Sequence, residues 1–77
     1  MSGTVNRVKK VVAEVLEISE IQIEVSSEFV GDLGADSMQS IELVAGFEEE
    51  FDIEMDEDDA LGVQNVQDAV TFIEKYL

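Results

Sequence analysis

Apolar residues near the start of the chain recur at spacings of three and four: Val5, Val8, Val11, Val12, Val15 and Leu16. That period is the pattern of a helix with one apolar face, and Thr4 reads as its N-cap. The period returns further on. Asp36 offers a side-chain cap, and Gln39 three residues later completes a capping-box-like arrangement, so a second helix is expected from Ser37 to about Phe51. Asn65 with Asp68 repeats the cap pattern ahead of Val66, Ala69, Val70, Ile73 and Leu77, which predicts a last amphipathic helix. The acidic run from Glu54 to Asp59, closed by Leu61 and Gly62, suits one short turn of helix.

The stretch from Ile18 to Ala35 has no sustained period. Ile21, Ile23 and Val25 alternate, but a lone strand has nothing to pair with. The expectation is a long ordered loop pinned by Phe29 and Leu33, and loops of that length inside small domains tend to be functional. The expected fold is therefore all-α: a small antiparallel four-helix bundle, three main helices and one short one, with a long first loop. It would form one domain over residues 1–77.

A chain of 77 residues is near the size at which one core barely suffices, and this one has no cysteine for a disulfide and no histidine. Packing must hold it together. Charge is the strongest compositional signal, with 19 acidic residues against 4 basic ones and a net charge of −15. Arg7, Lys9 and Lys10 precede the first acid, Glu14, and no basic residue follows until Lys75. Such a surface repels a nucleic-acid backbone or an anionic membrane, so partners should present basic patches. No basic-then-apolar leader follows Met1, and no apolar run approaches the roughly 18 residues of a membrane span. A soluble, cytoplasmic monomer is expected.

Placing the second helix at about 100° per residue separates its apolar side chains into two arcs. Leu43, Val44, Phe47 and Phe51 fall in one and can face the core. Met38, Ile41 and Ala45 fall in the other, flanked by Glu42, Glu48 and Glu49. An apolar spot rimmed by carboxylates suits docking, unless Met38 and Ile41 pack beneath the long loop.

Ser37 sits between the arcs, at the start of that helix, within GDLGADSMQSIEL. A serine nucleophile needs a base, and this chain has no histidine; Gly-x-Ser-x-Gly, Gly-x-Gly-x-x-Gly and P-loop patterns are all absent. No EF-hand register fits the acidic run either. Two readings remain open from position alone. Ser37 is either a residue of good local propensity or a serine modified by another enzyme, for which a helix N-terminus would favour an attached phosphate.

GADSMQSIEL resembles the phosphopantetheine attachment site of acyl carrier proteins, Asp-Ser followed by a large apolar residue and, a turn later, Glu-Leu. Asp36, Ser37, Met38, Glu42 and Leu43 match that pattern, and the resemblance extends along the chain through FVGDLGADS and ELVAGFEEEFDIEM. It implies that Ser37 receives 4′-phosphopantetheine from coenzyme A through a Mg-dependent phosphopantetheinyl transferase. The cofactor would supply the thiol that the chain lacks, and acyl groups would ride on it as thioesters in fatty-acid biosynthesis. The chain itself would be a non-catalytic carrier. The resemblance also implies that Asp36, Met38, Ile41, Glu42, Ala45, Glu48 and Glu49 dock onto basic patches of acyl-transferring enzymes, with no specific metal site. Leu43, Phe47, Val8 and Val12 are the residues expected near a cavity for the acyl chain. Two departures stand out: Gln39 replaces an Asp frequent in fatty-acid carriers, and Met55-Asp56-Glu57 lacks the proline often found there. They leave open a specialised carrier for a polyketide, lipid-modifying or accessory acyl pathway. The rivals from other classes are an acidic interaction module without cofactor and a divalent-cation buffer built on residues 54–59.

Overall fold

The first helix follows directly from the valine spacing. α1 (Gly3–Leu16) buries Val8, Val11, Val12 and Leu16 along one face. The computed structural model describes residues 3–77, the side chains of Glu57 and Asp59 excepted. Because the helix already begins at Gly3, Thr4 lies inside its first turn and is not the cap the sequence suggested. Glu17, in the left-handed conformation at φ 56°, ends the helix, and Ile18 N–H then bonds back to Ala13 O at 3.1 Å.

The chain next makes a short 3-10 turn, Glu20–Gln22, opened by Ser19, whose side chain accepts from Ile21 N–H at 3.3 Å. The alternation of Ile21, Ile23 and Val25 marks this turn and its exit: Ile21 is 93% exposed whereas Ile23 is 2% exposed and part of the core. Residues 25–29 are stitched to the start of the last helix by backbone bonds. Gln67 N–H donates to Val25 O at 2.8 Å, Val66 N–H to Ser27 O at 3.1 Å and Phe29 N–H to Gln64 O at 3.0 Å. Among the described residues the pairing amounts to one isolated bridge, Glu28 with Asn65, and no strand. Phe29 is buried and Leu33 packs partly against the core.

The remaining helices are α2 (Ser37–Phe51), α3 (Glu57–Leu61) and α4 (Val66–Glu74). In α4 the Asn65 side chain accepts from Asp68 N–H at 2.7 Å, and Val66, Ala69, Val70 and Ile73 are buried. Leu77, read from the period as part of this face, lies past the helix end and is exposed. The fold is all-helical, with α1 packed against both α2 and α4. Gly46 permits the first of these contacts, because a Cβ there would come within 2.8 Å of Val11 Cγ1 and 3.5 Å of Val15 Cγ2.

Arg7 fastens the two helices at one end. Its Nε donates to Glu50 Oε2 at 2.9 Å, Nη2 donates to the Glu50 carbonyl at 2.6 Å, and the guanidinium lies 4.3 Å from the Phe51 ring centroid. A cation near the last carbonyls of a helix also complements its dipole. Exposed ion pairs contribute little singly, but the fork and the ring contact act together. Arg7→Gln is expected to cost about 1 kcal/mol and lower Tm by about 4–8 °C. Arg7→Lys, which keeps the charge but not the planar fork, should fall between. Thermal melts of the three proteins in one buffer check this, and equal midpoints for Arg7→Gln and the unmodified chain would remove the clamp from the account.

Candidate functional site

The loop ahead of α2 is shaped by its own hydrogen bonds. Asp32 and Leu33 N–H groups both donate to Glu28 O, at 3.0 and 2.9 Å, while Asp32 Oδ2 accepts from Glu28 N–H at 2.8 Å. Gly34 takes φ 75°, a conformation that favours glycine, and Ala35 turns inward to become buried. Its N–H donates to Phe29 O at 2.8 Å, which fixes where the chain must start its next helix.

Asp36 then caps α2. Its Oδ1 accepts from Gln39 N–H at 2.7 Å, and Gln39 Oε1 accepts from Asp36 N–H at 3.1 Å, a complete capping box. Ser40 donates both its N–H and its hydroxyl to Asp36 O, at 2.9 and 3.1 Å. Ser37 is the first helical residue, exposed, with its position set by the cap on one side and the buried Ala35 on the other.

Beside Ser37 runs an apolar groove of about 850 Å³ between α2, the 28–31 segment and the stretch that carries α3. Leu43, Val44, Phe47, Met55, Leu61 and Val63 line it, with Ser37 and Ser40 also on its wall. Leu43 and Phe47, two of the residues expected near an acyl-chain cavity, line this groove. Val8 and Val12 do not: both are 0% exposed on α1 and absent from the groove wall. Their face is spent on packing against the neighbouring helices. Sequence reasoning missed Met55, Leu61 and Val63, whose only signal was apolar character within an otherwise acidic connection.

The second arc of α2 lies open to solvent. Met38 and Ile41 are each 71% exposed, so they do not pack beneath the loop, and Glu42, Ala45 and Glu49 are exposed with them. Glu48 differs. It is half-buried, and its Oε2 accepts from Met55 N–H at 2.9 Å. No cluster of three or more metal-binding side chains occurs among the described residues; the reading of residues 54–59 as a cation buffer also involves Glu57 and Asp59, whose side chains lie outside them. Among the described residues no helix is long and apolar enough to cross a membrane.

A family model, the phosphopantetheine attachment site, matches residues 6–73. The chain belongs to the phosphopantetheine attachment-site family. Members hold 4′-phosphopantetheine covalently, and this chain is a phosphopantetheine carrier protein. The residues of this carrier fit that group. An exposed hydroxyl stands at the positive end of a 15-residue helix, which suits a phosphodiester, and an apolar groove opens beside it.

Proposed function

We propose that the chain is a single carrier domain over residues 1–77 that bears acyl intermediates as thioesters on 4′-phosphopantetheine attached to Ser37, for fatty-acid biosynthesis in the cytoplasm, and that it catalyses no reaction itself. One observation carries the reading: Ser37 is exposed at the capped start of α2, on the wall of an apolar groove. The phosphopantetheinyl transferase would recognise the Asp36-Ser37-Met38 corner, and Met38, Ile41, Glu42, Ala45, Glu48 and Glu49 would meet the basic surfaces of this and later enzymes. The test is intact mass after incubation with coenzyme A, magnesium and a broad-range transferase. The gain of one phosphopantetheine supports the reading, and an unchanged mass leaves an acidic interaction module.

Service to a specialised acyl pathway is the second reading, and it rests on Gln39. That side chain spends its oxygen on the capping box and brings no charge to the corner beside Ser37. Reversal of charge on the exposed arc should separate docking from folding. Glu42→Lys and Glu49→Lys are expected to lower transferase kcat/KM by about 10-fold at low salt while moving stability by less than about 0.5 kcal/mol. Initial rates measured over a salt series, with a melt of each variant, provide the check. Rates unchanged at low salt would take these residues out of the docking face.

A further inference from the structure

Glu48 differs from its acidic neighbours in what it holds. Its main-chain carbonyl accepts from Asp52 N–H and from Ile53 N–H, the latter at 3.1 Å, and its carboxylate accepts from Met55 N–H at 2.9 Å. One residue therefore receives three N–H groups of the segment that turns out of α2. Asp52, at φ 54°, makes that turn possible. Met55 is 8% exposed and lines the groove, as Glu48 itself does. The carboxylate bond is thus a side-chain strut between α2 and the backbone at the groove wall, two residues ahead of α3.

We propose that Glu48 is a positioning residue that latches the 52–56 connector against the groove, and that a basic partner side chain drawn to this carboxylate loosens the connector and opens the groove beside Ser37. A hydrogen bond from a neutral amide to a carboxylate is exchangeable for one from an ammonium or guanidinium, which carries its own charge and binds more strongly. Among the described residues no cation of the chain pairs with Glu48: Arg7 is occupied with Glu50, Lys9 and Lys10 lie on α1, and Lys75 stands at the end of α4. The net charge of −15 concentrates basic partners near the chain. Docking and release of cargo would then be coupled through one carboxylate. This deepens the carrier reading and rests on it for its purpose, but not for its test.

The test is amide hydrogen exchange at Met55 in the unmodified chain without cofactor, followed by NMR. Glu48→Ala should speed that exchange by about 10-fold, the factor matching the loss of a bond worth about 1.4 kcal/mol. Glu48→Gln, whose amide oxygen can still accept, should restore most of the protection. Glu49→Ala removes the same charge from an exposed neighbour and should leave Met55 unchanged. Adding a penta-arginine peptide should speed Met55 exchange in the unmodified chain and add nothing in Glu48→Ala. Equal exchange in Glu48→Ala and the unmodified chain overturns the latch. Met55 protection in the unmodified chain unmoved by the peptide at any concentration overturns the release step, even where Glu48→Ala fails to fold. Loading of Ser37, read by mass, is a separate measurement, so the carrier reading and the latch can each fail alone.

Discussion

Ser37→Ala is expected to gain no mass on incubation with coenzyme A, magnesium and a broad-range transferase, and to keep its helical content. This is the expected result of removing one oxygen from an exposed position whose surroundings are built by other residues. Asp36 still accepts from Gln39 N–H, Gln39 still accepts from Asp36 N–H, and Ala35 stays buried. Alanine is the best helix former, so stability should change by less than about 0.5 kcal/mol. Ser40→Ala is the matched control. That hydroxyl lies one turn on, lines the same groove and donates to Asp36 O at 3.1 Å, so its loss should leave loading complete. Mass spectrometry and circular dichroism of both variants decide the matter; loading that persists without Ser37, or vanishes without Ser40, would move the attachment site.

Phe47→Ala is expected to be the most damaging single substitution in α2. The ring is 1% exposed, lies 6.3 Å from the Phe29 ring between centroids, and forms part of both the core and the groove wall. Truncating a buried phenylalanine costs about 3–5 kcal/mol. A domain of this size commands only about 4–12 kcal/mol in total. The variant should therefore lose at least about 15 °C in Tm or fail to fold at 25 °C. Phe47→Leu, which keeps most of the volume, should lose clearly less. A Phe47→Ala melt within a few degrees of the unmodified chain would show that the groove wall contributes little to the core.

The features legible from sequence were those whose partners lie within one turn. The Asp36–Gln39 and Asn65–Asp68 caps form between residues three apart, so the chain itself fixes their geometry. The two arcs of α2 were legible for the same reason, because helical period alone decides which side chains share a face. What that face meets is a long-range matter. Val8 and Val12 lie on a face of the right character, yet they pack in the core away from the groove. Met55, Leu61 and Val63 line it from a stretch too short and too acidic to show a period. Arg7 and Glu50, 43 residues apart, carried no local sign of their pairing. Ile21 and Ile23 were ambiguous because a 3-10 turn followed by extended backbone can imitate strand alternation over so few residues. The site was legible as a serine at a capped helix start, whereas the groove became visible only once distant segments met.

The backbone bonds between residues 25–29 and the start of α4 give the groove two unlike walls. In the 28–31 segment Phe29 N–H is tied to Gln64 O, just ahead of a helix that packs on α1, whereas α3 has only five residues, of which Leu61 is 73% exposed. A filling of varying bulk would then be taken up by displacement on the α3 side, where little burial is lost, and not on the side that ends in Gly34 and Ala35. With the arm on Ser37, as proposed, its root would keep its address whatever the load. Enzymes that must find the same serine on every visit would meet an unchanged corner, and news of the cargo would reach them from the opposite edge of the groove.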